Sequence, residues 1–291
     1  MERQHNLAIL WAILAAALYA ISSPISKILL DEIPPTMMAA LLYLGAGIGM
    51  SIISLYRLKT GKMSQEMKLT KKEFPYIISM ITLDIIAPIF LMVGLTMTTP
   101  ATVSLLNNFE IVATSLIALF IFKEYIHKRL WIAISLITIS SILLSVEDFS
   151  SLSFSFGSLL VLFASISWGF ENNMTRMLSS KDPMQVVIIK GFGSGIGSLV
   201  ISLVIKETTD NFLYIIMTLV LGFVAYGLSI YLYVYAQRYL GAAKTSAYYA
   251  VAPFIGAGLS LIIFFELPSF TFIIAMIIMI IGTYFASAES K

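Results

Sequence analysis

Four ionisable side chains stand inside long apolar runs of this chain: Asp84, Glu110, Glu171 and Lys190. A charged group at bilayer depth is costly, so it faces protein or a water-filled cavity and marks a place where charge is held or moved. Asp84 lies about ten residues into its run and Glu110 about nine into the next, which puts both near the middle of a hydrocarbon core about 30 Å thick. No basic residue is expected at their depth. A carboxyl there that trades its proton for a cation or for water supplies what proton-coupled movement of a solute needs. The competing reading is a permanently protonated carboxyl, hydrogen-bonded within a helical bundle. Glu171 and Lys190 sit at comparable depth on consecutive runs, where a mutually neutralising pair that fixes helix packing competes with function. A lysine that snorkels to the interface is the third possibility for Lys190.

Glu110 belongs to a polar stripe at helical spacing, Asn107, Glu110 and Thr114, with Ser104 one turn earlier. A second stripe runs Tyr226, Ser229, Tyr233 and Gln237, and a third Ser246, Tyr249, Pro253 and Gly256. Carboxylates facing tyrosines across a midplane cavity suit an organic cation or an amine-bearing aromatic, through charge and cation–π attraction. Aromatics are also ordinary packing and interface residues. Trp168 and the run Glu171-Asn172-Asn173 add polar capacity. The two asparagines point about 100° apart on a helix, so at most one shares a cavity with Glu171. The candidate substrate-binding set is Asp84, Asn107, Glu110, Trp168, Glu171, Tyr226, Tyr233 and Tyr249.

The elements that position these residues are membrane-spanning helices. Of the 291 residues, 59% are hydrophobic and 12% charged, too few polar residues to cover a soluble fold of this size. The predicted spans are 7–30, 36–57, 74–97, 101–122, 129–146, 157–178, 184–206, 212–237, 244–265 and 270–288. Each is long enough to cross the core at about 1.5 Å per residue. The alternating segments of a transmembrane barrel are absent. The expected fold is therefore all-α, a polytopic membrane protein of ten helices. Breaks carry turn punctuation at Ile33-Pro34-Pro35, Thr98-Thr99-Pro100, Asp182-Pro183 and Leu267-Pro268.

Lysine and arginine collect on the cytoplasmic side of a membrane protein. With the N-terminus inside, all of the 18 fall there except Lys27, Lys190 and Lys206, while the outer loops carry Asp31, Glu32, Glu147, Asp148, Glu207, Asp210 and Glu266. The expectation is a multi-pass protein of the cell membrane, inner or plasma, with both termini cytoplasmic. A net charge of +2 points to no nucleic acid, and the lack of cysteine removes thiolate and Cys-metal chemistry.

The chain also repeats itself. Pro35 to Gly49 aligns with Pro183 to Gly197, sharing the proline and a Gly-x-Gly-Ile-Gly run, with Ser54 and Ser202 matched beyond; Ala101 to Glu124 aligns with Ala243 to Glu266. Each half then carries five helices. Five is odd, so the second copy is inverted, as the charges agree: Tyr-Ile-His-Lys-Arg follows Glu124, while Leu-Pro-Ser-Phe follows Glu266. The predicted division is 1–148 and 149–291. Inverted repeats place a substrate site near the midplane and permit alternating access.

Both halves resemble the EamA-type repeat of the drug/metabolite transporter superfamily, over essentially the whole chain. The resemblance is carried by Leu18-Tyr19 and Ser167-Trp168, by Thr99-Pro-Ala-Thr and Gly241-Ala-Ala-Lys, by Pro253, and by Phe-Lys-Glu124 and Phe-Phe-Glu266. The first half departs where Ile111 stands in place of the family's proline. The resemblance implies a secondary transporter of a small metabolite or drug-like molecule, with a central cavity lined mainly by spans 1, 3, 4, 6, 8 and 9. It does not specify the substrate.

The alternatives are a channel or a non-transporting sensor, though neither a filter-like loop nor a signalling domain is visible. An intramembrane enzyme fits poorly. His5 and His127 lie outside the spans, no His-Glu-x-x-His is present, and one deep aspartate is not the pair that an aspartyl protease uses. Nothing calls for a cofactor or a metal. The expected partners are a small-molecule substrate, the lipid bilayer and protons as a coupling ion; monomer and homodimer both stay open. The glycines at 191, 193, 195 and 197 lack the Lys-Ser/Thr of a phosphate loop and fit close helix packing.

Overall fold

Proline and glycine punctuation divides the apolar sequence into a bundle of helices with short connections. The computed structural model describes residues 2–60, 67, 69–123, 125–148, 153–178 and 181–287. The helices are α1 (Glu2–Ala20), α2 (Ser22–Leu29), α3 (Pro35–Lys59), α4 (Phe74–Met97), α5 (Pro100–Leu106), α6 (Phe109–Phe120) and α7 (Lys128–Ser145). A short antiparallel ladder pairs β1 (Val146–Asp148) with β2 (Ser153–Phe154). There follow α8 (Phe156–Arg176), α9 (Pro183–Val204), α10 (Phe212–Gly222), α11 (Ser229–Tyr249), α12 (Ala252–Phe264) and α13 (Phe270–Ser287). A π-helical turn, Phe223–Leu228, joins α10 to α11.

Among the described residues, eight helical segments are long and apolar enough to cross a membrane, and Ala252–Phe264 is a shorter apolar helix. The 21-residue α8 is long enough, but its last third holds Glu171, Asn172, Asn173 and Arg176. Proline opens α3, α5 and α9 at their first turn, where its missing N–H costs nothing. Thr99, Ser155 and Asp182 cap α5, α8 and α9 by accepting backbone N–H groups.

Several expected boundaries differ. The span predicted over 7–30 is interrupted at Ile21, between α1 and α2, and the one predicted over 244–265 begins as a separate helix only at Ala252. The span predicted over 101–122 is broken at Asn107-Asn108, where tight i to i−3 bonds from Asn108, Glu110 and Ile111 replace part of the α-helical ladder. The loop expected between spans eight and nine is absent, since helix continues to Tyr249. The reason lies in the local sequence. Pro100 disfavours helix in the residue before it, whereas Gly241-Ala242-Ala243 holds no proline and two strong helix formers.

Packing is most extensive between α3 and α9 and between α4 and α8. Glycines set the first crossing. A Cβ on Gly191 would stand 2.5 Å from the Gly47 nitrogen, and one on Gly195 would stand 2.7 Å from the Leu44 nitrogen. The α4–α8 pair meets in the same way, a Cβ on Gly94 falling 2.8 Å from the Gly157 carbonyl oxygen. Small residues admit backbone to backbone, so dispersion and fixed polar contacts hold the helices where lipid competes for apolar contact. The main core gathers Leu42, Tyr43, Ala87, Leu91, Trp168 and Tyr226.

Candidate functional site

The α3–α9 and α4–α8 crossings bring four helices around one lysine. Lys190 of α9 places its Nζ 3.0 Å from Asp84 Oδ2 on α4 and 3.0 Å from Glu171 Oε1 on α8. Tyr43 of α3 donates its hydroxyl to Asp84 Oδ1 at 2.9 Å. Thr175 donates to the same Glu171 oxygen one turn along α8. All the charged members are buried, Asp84 fully and Glu171 to 2% exposure. Asp84 therefore does have a basic partner, contrary to the expectation from depth along the chain. Depth gives height in the membrane but not the helix face, and α9 turns Lys190 toward both carboxylates.

A second group lies beside this sealed cluster and is partly accessible. Asn172 of α8 donates to Glu110 Oε1 and reaches Thr114 Oγ1 at 3.3 Å, so it joins α8 to α6. Asn173, about a hundred degrees round the helix, instead donates to the Thr114 and Gly169 carbonyl oxygens. Glu110, Thr114 and Asn172 are half-buried, as are Tyr19, Tyr233 and Tyr249. Glu110 is within electrostatic reach of Tyr19, Tyr249, Glu171 and Lys190.

The tyrosines form a continuous wall. Tyr226, on the π-helical turn, packs on Tyr43 at 5.3 Å and Tyr19 at 5.8 Å between ring centroids. Tyr19 meets Tyr249 at 6.0 Å, and Tyr249 meets Tyr233 at 4.9 Å edge to face. Ser22 reaches the Tyr226 hydroxyl at 3.4 Å, and the hydroxyls of Ser229 and Tyr249 lie 3.4 Å apart. A π turn inserts one residue into the helical ladder and re-aims the side chains on it, a device common at functional sites.

Of the eight candidates, Asp84, Glu171, Trp168 and Tyr226 fall in or against the sealed cluster, while Glu110, Tyr233 and Tyr249 fall in the accessible group. Asn107 stands apart at the helix break, buried, with its Oδ1 lacking a hydrogen-bond partner. The stripe drawn from Asn107 through Glu110 assumed an unbroken helix, and the break turns it. The Gln237 and Ser246 side chains and Glu124 lie outside the described residues. Tyr43 and Tyr19 are additions. Tyr43 carried no signal beyond its place in an apolar run, and Tyr19 was visible only in the Leu18-Tyr19 pair.

A bundle of apolar helices enclosing buried ion pairs defines a polytopic membrane protein. The EamA-like transporter family matches residues 6–146 and again 155–288. The chain belongs to that family and is a multi-pass membrane transporter. It is 27% identical over 288 residues to a protein of Methanothermobacter thermautotrophicus (strain Delta H) described as an uncharacterized transporter, covering 94% of this chain and 83% of that one. A crystal structure of another protein superposes with a TM-score of 0.68 at 16% identity, over 96% of this chain and 95% of the other, which is a likeness of fold.

Proposed function

We propose that the chain is a secondary transporter for a small amine-bearing or aromatic solute, coupled to protons, with Glu110 as the group that takes the cation. The observation that carries this is the imbalance of the buried charges. Among the described residues, three carboxyl groups, Asp84, Glu110 and Glu171, lie around one buried ammonium, that of Lys190. Lys190 contacts Asp84 and Glu171 directly, whereas the described partner of Glu110 is the neutral amide of Asn172. An uncompensated carboxylate at this depth is costly, so a proton or a substrate ammonium is the fitting occupant.

The surroundings support the assignment. Glu110 is half-buried in the first turn of α6, within electrostatic reach of Tyr19 and Tyr249, and tyrosine rings attract a cation or stack an aromatic ring. Division into 1–148 and 149–291 as inverted halves accords with further parallels between the aligned segments. Lys123 (φ 59°) and Phe265 (φ 53°), at matching positions after α6 and α12, both take the left-handed conformation. Alternating access by rocking of one half against the other, in the cell membrane with both termini inside, completes the proposal.

Purified protein in liposomes with an imposed pH gradient tests it. Amines that raise the thermal stability of the protein in a metabolite screen supply the transport probe, because a ligand at 100 times its Kd adds about 2.7 kcal/mol. Glu110→Gln is expected to abolish pH-driven uptake and the thermal shift together. Unchanged pH-dependent transport in both Glu110→Gln and Asp84→Asn would remove the carboxylates from the mechanism.

A further inference from the structure

A pocket lies at the C-terminal end of α4, away from the Asp84 that the same helix carries to the cluster around Lys190. It has a volume of about 450 Å³, opens widely, and is lined by Lys27, Thr96, Thr98, Thr99, Ser155 and Ser158 among others. Among the described residues that line it, Lys27 carries the one formal charge. Asp31 and Glu266 are within electrostatic reach of Lys27, but neither lines the wall.

Lys27 Nζ donates to the carbonyl oxygens of Leu95 at 2.6 Å, Thr98 at 3.3 Å and Thr96 at 3.4 Å. Those carbonyls end α4, so the ammonium neutralises the negative end of that helix while remaining half-buried at the pocket wall. The N-terminus of the 21-residue α8 also lines the pocket, through Ser155 and Ser158, and carries the positive end of that helix. Ser155 caps it by accepting the Ser158 N–H at 3.3 Å. The Ser158 hydroxyl is fully buried and has no hydrogen-bond partner. A buried hydroxyl without a partner loses a hydrogen bond that a ligand restores. The tight meeting of Gly94 with Gly157 holds the two helix ends together, which fixes the spacing between cation and hydroxyl.

We propose that this pocket is a vestibular site for a carboxylate, held between the Lys27 ammonium, the N-terminus of α8 and the Ser158 hydroxyl. The site stands independently of Glu110.

The natural absence of cysteine makes a direct test available. Met97, which lines the pocket and is 53% exposed, is replaced (Met97→Cys) to give a single reactive thiol. Its labelling in detergent by an anionic and by a cationic methanethiosulfonate is compared, each rate normalised to a free thiol in solution. The anionic reagent is expected to be favoured, and Lys27→Gln to lower that preference by about tenfold, since one unit charge at several ångströms in water acts about threefold, and oppositely, on each reagent. Benzoate is expected to slow labelling and benzylamine not to, with protection lost in Lys27→Gln and weakened in Ser158→Ala. Should Lys27→Gln fail to fold, Lys27→Arg retains the charge and must keep protection, while Ser158→Ala must still weaken it. Equal effects of benzoate and benzylamine, protection by neither, or full protection in Ser158→Ala would overturn the site. Glu110 enters none of these measurements, so failure here is distinct from failure of the transport proposal.

Discussion

Lys190 Nζ lies 3.0 Å from Asp84 Oδ2, an ion pair between α9 and α4 whose carboxylate is fully enclosed. That oxygen has no hydrogen bond besides the ion pair, so removing the lysine strands it. Breaking a buried pair from one side costs about 3–5 kcal/mol. Lys190→Met is therefore expected to lower thermal stability in detergent sharply. Lys190→Met with Asp84→Asn should recover part of the loss, because the stranded charge is gone. A double mutant no more stable than Lys190→Met would show that the pair does not couple.

Tyr43 offers a finer probe of the same carboxylate. Its hydroxyl donates to Asp84 Oδ1 at 2.9 Å while its ring packs on Tyr226. Tyr43→Phe removes the hydrogen bond and leaves the ring. A hydrogen bond to a charged group contributes about 1.5–3 kcal/mol, so the loss should be of that order and smaller than for Lys190→Met. Thermal unfolding of the two single variants side by side checks the order.

Much of the bundle was legible because apolar runs of bilayer length leave few alternatives. The pairing of Glu171 with Lys190 was legible too, since consecutive helices fix the depth of each. Asp84 in the same cluster was not. Its partner is on α9, five helices on in sequence, and the glycines of α9 that pack on α3 (Gly191 on Gly47) and on α4 (Gly193 on Ile81) bring Lys190 to it. Tyr43 escaped notice for a related reason: a tyrosine in an apolar run looks like any packing residue until a carboxylate is placed beside it. The break at Asn107-Asn108 was hidden by continuous hydrophobicity on either side. The π turn under Tyr226 carries no proline, and the glycines at 222 and 227 do not by themselves announce it.

The charges also separate stability from function. Glu110 and Asn172 lie in the half-buried group, and Asn172 bridges α8 to α6 through Glu110 and Thr114. Asn172→Ala removes one neutral hydrogen-bond donor, a loss of about 1 kcal/mol in stability. If Glu110 takes the cation, the same change should alter amine affinity in the thermal-shift assay by far more than it alters the unliganded melting temperature. An affinity unchanged within error would place Asn172 among packing residues.

Two glycines give opposite expectations for one substitution. At Gly191 a Cβ would meet Gly47 nitrogen at 2.5 Å and Cα at 2.6 Å, both backbone atoms that cannot swing aside. Gly191→Ala must push α3 and α9 apart, and with them the Lys190 that α9 presents to Asp84. At Gly258, in α12, a Cβ meets nothing within 4 Å. There the exchange only removes backbone freedom from a helix interior, where alanine is better than glycine by about 1 kcal/mol. Thermal unfolding should thus fall for Gly191→Ala and hold or rise for Gly258→Ala. Equal changes at both sites would mean that the close crossing of α3 and α9 does not govern the response.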